Sequence, residues 1–551
     1  MKRIVLSILG VAAMMSASAA VPATTQVWEN TIYSVASAED VNYANEMAFT
    51  AGGETYVAGI VSGEGFRFCP SVVTPVGVSS YVAKYDDKGM SAWAVTIAGA
   101  ATVTAITTDA EGNVYVAGTL ADEVTFAGAD EQNSTVIAGY KDEFGAYSEG
   151  QKAAFIAKYD AEGALKAVVP FVPSILPGVA TDKATAESIM GFAWYDESIY
   201  FKISNLEVAD GKLYVGALYT GSTTIGEVKL DAAYQNVEGW MFADLASCSV
   251  FTLDAAKLEN AEVLFSTSVK GGVTANNEST TSVAFDVNEG VLYASAIVSG
   301  TQTIKIGTSE EEKSFSMTDE GVIEYATVVA AVNIADKTVK VSKIYTQSTG
   351  NLNKDAVEKI AVAGDNVYVA GIAHSNLAFD NEKAVKGHGD IFVASLKAAD
   401  LTVNWTAMSG VEEGNGTDNG EVFVGMGLLG NDVVLSGYSE ALSDRKPIEG
   451  ITAYVAADGT VTMSDDKAVK SAVVADGGFL GTAAYAVSGE VANVTYTVAK
   501  VAGSAINEVA ADANVAAKYY NLQGVEVNAE NMPAGIYVCK RGNKAVKVLV
   551  K

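Results

Sequence analysis

The chain has 551 residues, a formal charge of −30 and only four arginines: Arg3, Arg67, Arg445 and Arg541. A nucleic-acid-binding protein needs cations that neutralise phosphates, so this composition argues against nucleic acid as a partner. Hydrophobic residues make up 49% of the chain, which is enough for a large core and argues against a disordered chain.

The first nineteen residues have the pattern of a signal peptide. Lys2 and Arg3 precede an apolar run from residue 4 to 15, and Ala17-Ser18-Ala19 fits cleavage before Ala20. The alternative is a membrane anchor, but an anchor needs about 20 continuous apolar residues and this run is shorter. We therefore expect an exported protein, located at the cell surface or outside the cell, or otherwise in the periplasm.

The cysteines argue against a disulfide framework, because Cys69, Cys248 and Cys539 are odd in number and far apart. We expect them to be small buried hydrophobic residues. A bacterial lipoprotein carries a cysteine at its mature N-terminus, which this chain lacks, so no lipid anchor is expected. No later stretch has the length of a membrane-spanning helix, and we expect no transmembrane segment in the mature chain.

A Tyr-Val-Ala-Gly strand motif recurs along the chain. Exact copies begin at Tyr56, Tyr115 and Tyr368, and degenerate copies begin at Tyr214, Tyr293, Val434 and Ala486. A strand and a tight turn precede each motif, and a third strand, an Asp/Gly turn and a fourth strand follow it, as is clearest at Trp93 and Trp405. Alternating β-branched and aromatic residues between such turns are typical of antiparallel hairpins. Seven such units predict an all-β fold, a seven-bladed β-propeller.

The second repeat also resembles a known family. Residues 108–118, Thr-Asp-Ala-Glu-Gly-Asn-Val-Tyr-Val-Ala-Gly, and the later Phe-Ile-Ala-Lys-Tyr-Asp of 155–160 look like the bacterial SBBP-type β-propeller repeat. The match is good in repeats one, two and five and weak in the others. It implies a fold and no activity, because that family has no shared catalytic residue.

The seventh repeat has too few residues for a fourth strand. Residues 27–33 contain Trp28 and resemble the fourth strands that contain Trp93 and Trp405. We therefore predict that this N-terminal segment pairs with Thr495 to Lys500 and closes the ring. The alternative, an unpaired terminal segment, fits its β-branched and aromatic content less well. The propeller is then expected to span residues 20–503.

After an Ala-rich linker, residues 504–518, the composition changes. Residues 519–551 contain Tyr-Tyr-Asn-Leu-Gln-Gly at 519–524 and Gly-Ile-Tyr at 535–537, and the last twelve residues hold five cations and no acid. This segment resembles the C-terminal sorting module of Bacteroidetes proteins exported by the type IX secretion system, which implies contact with the secretion machinery. The alternative is a small β-module without a transport role.

Several kinds of chemistry lack the residues that they need. A sialidase-like arginine triad cannot form, because only Arg67 and Arg445 lie in the expected propeller. His374 and His388 cannot form a three-His metal site, although a weak two-His site remains an alternative. The turn Asp109–Asn113 is the nearest fragment to a calcium loop and is interpreted as a hairpin. We predict no catalytic residue, no metal and no cofactor; a two-carboxylate glycosidase remains an alternative in which nothing selects the pair.

The lengths of the connections indicate a one-sided molecule. Within each repeat, the connection between the second and third strands is long. The connections between the first and second strands and between the third and fourth strands are short turns. In a propeller, the long connections all open on one face. Loops that a rigid scaffold presents are where binding usually resides. Aromatic residues enrich this loop face: Phe66, Phe68, Tyr140, Phe144, Tyr147, Trp194, Tyr195, Tyr219, Tyr234 and Trp240. Of these, the candidate ligand-binding residues are Trp194, Tyr195, Tyr219, Tyr234 and Trp240; the alternative is that they pack the insertions.

The leading hypothesis is an exported, non-enzymatic propeller that presents this face to a protein, a peptide or a glycan. One alternative is a propeller hydrolase that acts on polysaccharide through paired carboxylates, and another is a purely structural surface protein. Two buried, facing carboxylates at the channel mouth would favour the hydrolase. An aromatic shelf without them would favour binding.

Overall fold

A computed structural model describes residues 21, 23–35, 46–50, 53–62, 66–68, 71–73, 77–130, 133–141, 150–174, 199–231, 234–237, 241–244, 246–271, 280–315, 323–349, 355–374, 377–380, 385, 389–409, 419–430, 432–441, 443, 446–476, 478–488, 491–501, 518–521, 526–527, 535–541 and 544–550. The predicted signal peptide and residues 504–517 of the predicted linker lie outside the described residues.

The described residues form an all-β structure, with seven antiparallel blades arranged as a β-propeller, as the repeats predict. From the central channel outward, blade 1 contains Glu46–Phe49, Thr55–Val61, Ser79–Tyr85 and Ser91–Ala98; blade 2 contains Ala101–Thr108, Val114–Leu120, Ala153–Tyr159 and Leu165–Phe171; blade 3 contains Phe201–Ala209, Lys212–Tyr219, Ser247–Asp254 and Glu262–Gly271; blade 4 contains Thr280–Asn288, Val291–Val298, Ile323–Asn333 and Val339–Thr349.

The remaining blades follow the same order. Blade 5 contains Ala356–Ala363, Asn366–Ala373, Asp390–Lys397 and Val403–Met408; blade 6 contains Asn419–Leu429, Asp432–Ala441, Pro447–Val455 and Val461–Met463; blade 7 contains Lys470–Asp476, Phe479–Ser488, Val491–Val501 and Thr24–Val35. The second and third strands of each blade carry the most deeply buried residues, including the Tyr-Val-Ala-Gly motifs of blades 1, 2 and 5.

The N-terminal strand closes the ring, so the closure prediction is confirmed. Thr24–Val35 is the fourth strand of blade 7 and pairs antiparallel with Val491–Val501, with Trp28 opposite Val498 and Asn30 opposite Tyr496. The buried Tyr496 hydroxyl lies 2.6 Å from the Tyr81 hydroxyl of blade 1. The first and last blades therefore share one core, which local sequence cannot build because its halves are more than 400 residues apart.

At three seams, a tryptophan on the outer strand of one blade packs on a turn of the next blade. Trp28 faces Gly89, Trp93 faces Gly163 and Trp405 faces Gly459, and a Cβ atom at any of these glycines would lie under 3 Å from the indole side chain. All three glycines have positive φ, from 76° to 87°. Glycine is needed there for two reasons: the backbone is left-handed, and the indole fills the space of a side chain. Trp28 thus occupies the position that Trp93 and Trp405 occupy in their blades.

The short turns are held by their aspartates. In the turn Asp109–Asn113, the Asp109 carboxylate accepts hydrogen bonds from the backbone N–H groups of Glu111 and Asn113, at 3.1 and 2.8 Å. Asp160 caps the turn before Ala164 in the same way. The hairpin interpretation of Asp109–Asn113 is confirmed, because its carboxylate serves the turn itself.

The long connections on the loop face contain additional hairpins. Glu123–Ala127 and Ser134–Ala138 form a hairpin that extends the outer edge of blade 1, and Gly300–Ile306 and Ser309–Phe315 extend blade 3. Three further two-stranded sheets are Phe66–Phe68 with Ser71–Val73, Ser222–Ile225 with Val228–Asp231, and Tyr234–Val237 with Met241–Asp244. The one-sided placement of the insertions follows the sequence prediction, whereas the added edge strands were not predicted.

The C-terminal segment forms its own antiparallel sheet. Its strands, in spatial order, are Glu526–Val527, Lys518–Tyr520, Gly535–Arg541 and Lys544–Val550. In the part of the chain that the structure describes, no helix has the length and hydrophobicity needed to cross a membrane.

Candidate functional site

A cavity of about 1110 Å³ occupies the central channel. Its walls are formed by the first strands of all seven blades, together with residues of the loop face such as Gly99, Gln151 and Leu218. First strands begin at the loop face and end at the turn face, and the lining residues come mainly from their beginnings. The cavity therefore lies under the long connections, at the loop-face end of the channel.

A β-bulge in the first strand shapes this wall. The pairing of first and second strands skips one residue in each of blades 2 to 7, for example between Val103 and Ala105, between Ile203 and Asn205, and between Val357 and Lys359. Among the skipped residues, those that line the cavity are Thr104, Ser204, Glu358, Val424 and Ser471. Bulges commonly redirect side chains at functional sites, and here they bring polar groups to the channel.

Four charged side chains line the cavity: Glu46 of blade 1, Lys202 of blade 3, and Glu358 and Lys359 of blade 5. Enclosure by the channel walls raises the pKa of Glu46 to about 7, and the positive charge of Lys359 offsets part of that rise. Desolvation likewise raises the pKa of Glu358 to about 7, although this residue is exposed, and the positive charge of Lys359 again offsets part of the rise. Both carboxyl groups therefore titrate near neutral pH.

Below the cavity, Glu207 and Asp286 form a second acidic pair on the first strands of blades 3 and 4. Glu207 accepts a hydrogen bond from the Val287 N–H at 2.9 Å, and Asp286 accepts one from the Val362 N–H at 2.6 Å. Desolvation and the nearby Asp286 carboxylate raise the pKa of Glu207, and desolvation raises that of Asp286. Since each carboxylate accepts a hydrogen bond from a backbone N–H of the next blade, this pair links blades 3, 4 and 5 toward the turn face.

Hydroxyl groups make similar links higher in the channel. The Thr104 hydroxyl donates to the Ile203 carbonyl of the next blade at 2.7 Å, and the Ser204 hydroxyl donates to the Val283 carbonyl at 3.2 Å. The Ser282 hydroxyl oxygen accepts a hydrogen bond from the Val357 N–H at 3.0 Å. Polar contacts therefore join neighbouring blades on the channel side, whereas the outer seams combine indole packing with hydrogen bonds from the Trp93 and Trp405 Nε1–H groups to the carbonyls of Ala161 and Ala457.

The predicted binding residues have different outcomes. Trp194, Tyr195 and Trp240 lie outside the described residues, and Tyr234 lies in a strand whose backbone alone is described. Tyr219 is 2% exposed: its ring stacks on Phe201, and its hydroxyl lies 2.9 Å from that of Ser249. These are the contacts of a packing residue. A binding role for the five remains a prediction.

The connection that contains Trp194 and Tyr195 nevertheless leads directly to the cavity wall. It ends where Ile199 begins the described chain, and Lys202 follows three residues later on the first strand of blade 3. Leu218, which lies just before the insertion that contains Tyr234 and Trp240, also lines the cavity. The predicted loop surface and the cavity are thus adjacent along the chain in blade 3.

The remaining candidates have local partners. The backbone N–H of His374 donates to the buried Asp355 carboxylate at 2.5 Å, and His388 lies outside the described residues. No cluster of three or more potential metal ligands occurs in the described part of the chain.

Cys248 is fully buried as expected, and burial raises its pKa to about 11. Cys69 lies outside the described residues, as does the side chain of Cys539.

No protein-family model matches the chain, and no curated protein matches it. The fold is similar to that of three solved structures. A mitotic checkpoint complex matches at 10% identity over 90% of this chain and 99% of that chain, with a TM-score of 0.36. An exo-1,5-α-L-arabinanase from a bovine ruminal metagenomic library matches at 8% identity over 67% of this chain and 98% of that chain, with a TM-score of 0.26, and a rhamnogalacturonan lyase matches at 9% identity over 81% of this chain and 75% of that chain, with a TM-score of 0.31. Structural similarities at these TM-scores do not indicate a function.

The sequence analysis missed the cavity residues. Glu46, Lys202, Glu358 and Lys359 lie in first strands, which are the least regular part of each repeat, and nothing in their local sequence marks them as neighbours. A usable signal does exist in retrospect: two adjacent charges, Glu358-Lys359, interrupt a strand whose other residues are mostly apolar.

Proposed function

We propose that this protein is an exported, non-enzymatic β-propeller that binds its ligand at the loop face, with the central cavity as the deepest part of the site. The supporting observation is the cavity of about 1110 Å³, to which all seven blades contribute. That volume is at the upper end of small-ligand sites, which are usually about 300–1,000 Å³. A glycan or a peptide segment inserted from the loop face fits such a site better than a flat protein surface does.

The second candidate is a hydrolase. The cavity contains two carboxyl groups, Glu46 and Glu358, with pKa values raised to about 7. A carboxyl group that keeps its proton near neutral pH is what a glycosidase uses as general acid. The criterion stated from the sequence is two buried, facing carboxylates; the cavity has two carboxyl groups, on blades 1 and 5, of which Glu358 is exposed, so this alternative is tested together with binding.

One experiment separates the two candidates. The protein from Ala20 onward is applied to a glycan and peptide array, and bound ligands are then incubated with it while products are measured. The binding hypothesis predicts retention of an intact ligand; cleavage that is lost in both Glu46→Gln and Glu358→Gln would establish the hydrolase instead. If the array shows neither binding nor cleavage, the structural-protein hypothesis replaces both.

The role of the loop tryptophans is then tested with the ligand that the array identifies. Replacing both Trp194 and Trp240 with Ala should weaken binding by at least about 2 kcal/mol if these rings are anchors. A matched control is Trp405→Ala, because Trp405 lies at the outer seam between blades 5 and 6. Unchanged affinity combined with a lower melting temperature would show that the loop tryptophans only pack the insertions.

We also propose that residues 1–19 direct export and that residues 519–551 are a sorting module of the type IX kind, attached to an SBBP-type propeller of residues 20–503. The support is the leader pattern, the sequence resemblance and the presence of a separate C-terminal sheet. In the native host, a chain that ends at residue 518 should remain in the periplasm. Display of the truncated chain at the cell surface would refute the sorting role.

A further inference from the structure

The central cavity contains two lysines that make no direct ion pair among the described residues. Lys202 and Lys359 both line the cavity, and no ion pair links either ammonium group to a carboxylate among the described residues. Lys202 has a cation–π contact, with its Nζ atom 4.8 Å from the centre of the Tyr200 ring.

The remaining charged groups of the lining are Glu46 and Glu358. Lys359 acts electrostatically on both, and enclosure raises the pKa of both to about 7. Below that pH these carboxyl groups increasingly bind a proton and lose their negative charge. The negative charge of the lining therefore decreases as the pH falls from about 8 to about 6.

We propose that the central cavity binds a ligand that carries carboxylate groups, with Lys202 and Lys359 as its cationic partners. The inference rests on the proposed function, which gives the cavity a ligand, and adds the ligand's chemical class. An ammonium group and a carboxylate form charge-assisted hydrogen bonds, which are stronger than neutral ones, and enclosure in the channel strengthens them further. A uronate-containing saccharide and an acidic peptide share this chemistry.

Other wall residues suit a polar ligand of more than one unit. Asn205 lines the cavity at the bulge of blade 3, is 8% exposed, and its side-chain oxygen has no hydrogen-bond partner among the described residues. Ser471 adds a second polar group from blade 7. A ligand with hydroxyl or amide donors beside its carboxylates would therefore complement both the charge and the hydrogen-bonding capacity of the wall.

The test uses matched pairs of probes that differ in their carboxylates: glucuronate trisaccharide against the glucose trisaccharide of the same linkage, and triglutamate against triglutamine. Isothermal titration at pH 6 should show binding of at least one acidic probe, at least about tenfold tighter than its neutral counterpart. Binding of the glucuronate trisaccharide would indicate a saccharide ligand, and binding of triglutamate would indicate a peptide ligand. Equal binding within each pair, or no binding of either acidic probe, would overturn the inference.

Substitutions locate the effect. Lys202→Gln and Lys359→Gln should each weaken binding of the acidic probe about tenfold, and raising the pH from 6 to 8 should weaken it in the unsubstituted protein. The matched control is Lys397→Gln, an exposed lysine at the end of the third strand of blade 5 that does not line the cavity. Loss of affinity in the control as well would show a general charge effect and refute the site. Unchanged thermal unfolding of each variant confirms that the fold is intact.

Failure of this inference can be distinguished from failure of the proposed function. A neutral ligand that binds the loop face, with affinity indifferent to Lys202 and Lys359, would leave the proposed function standing and remove the carboxylate class. A blank array together with blank titrations would remove both.

Discussion

The outer seams and the central channel of this propeller join neighbouring blades by different means. Outside, Trp28, Trp93 and Trp405 pack on left-handed glycines of the next blade, and these contacts repeat with almost the same geometry. Inside, the joints are single hydrogen bonds and buried acids that differ from blade to blade, such as those of Thr104 and Glu207. The outer contact is therefore a repeated one, whereas the channel contacts differ from blade to blade and lie beside the charged groups of the cavity.

Removing the closing strand should have the largest effect, because blade 7 loses its fourth strand and the Trp28 contact with blade 1. A chain that begins at residue 36 exposes the backbone edge of Val491–Val501 and the core around Tyr496. We expect a loss greater than the roughly 4 kcal/mol of a severe core substitution, or no cooperative unfolding at all. Calorimetry and circular dichroism measure it; an unchanged unfolding transition would contradict the closure.

Single seam substitutions rank next and sharpen the comparison. Trp28 is 5% exposed and stacks on Tyr85 with ring centres 5.2 Å apart, whereas Trp405 is only half-buried. Trp28→Ala should therefore cost about 3–5 kcal/mol in unfolding free energy, and Trp405→Ala less. Urea denaturation of both variants gives the two values. Equal losses would mean that the seams do not differ in burial as described.

The carboxyl groups of the channel should make the free energy of unfolding depend on pH, whereas the seam tryptophans should not. Glu46 and Glu358 have folded-state pKa values near 7, above the ordinary 4.5, so the folded state binds more protons than the unfolded state between these values. By linkage, the free energy of unfolding decreases as pH rises from about 4.5 to 7. Unfolding measured across this range should show the decrease, and Glu46→Gln should make the slope smaller without abolishing it, because Glu358, Glu207 and Asp286 also have raised pKa values. Trp405→Ala should leave the slope unchanged. A slope that is the same in Glu46→Gln would show that other groups cause it.

The smallest effect is expected from the C-terminal sheet. Deleting residues 519–551 should change the unfolding free energy of the propeller by less than about 0.5 kcal/mol, because the ring is closed by the N-terminal strand and not by this segment. Differential scanning calorimetry of the shortened chain provides the measurement. A drop comparable to that of Trp28→Ala would indicate that the tail is part of the propeller's core.

The turns and the repeated blades could be predicted because their information is local. Asp109 and Gly112 specify a hairpin within five residues, and the recurrence of Tyr-Val-Ala-Gly makes the blade count readable. The similarity of Trp28 to Trp93 and Trp405 identified the missing fourth strand, because the same residue fills the same space against a turn glycine. The channel gave no such signal. Glu46 and Lys359 are more than 300 residues apart, and only the ring closure brings their charges within reach of each other.

By itself, then, the sequence determined the strand content, the seven blades, the closing segment and the side on which the insertions lie, because period-two patterns and turn residues act over a few neighbours. The tertiary structure decided the rest. It fixed which first-strand residues form bulges toward the channel, which carboxyl groups lose enough water to shift their pKa, and which lysines remain without acidic partners. Those properties depend on enclosure by seven blades at once, which no single repeat encodes.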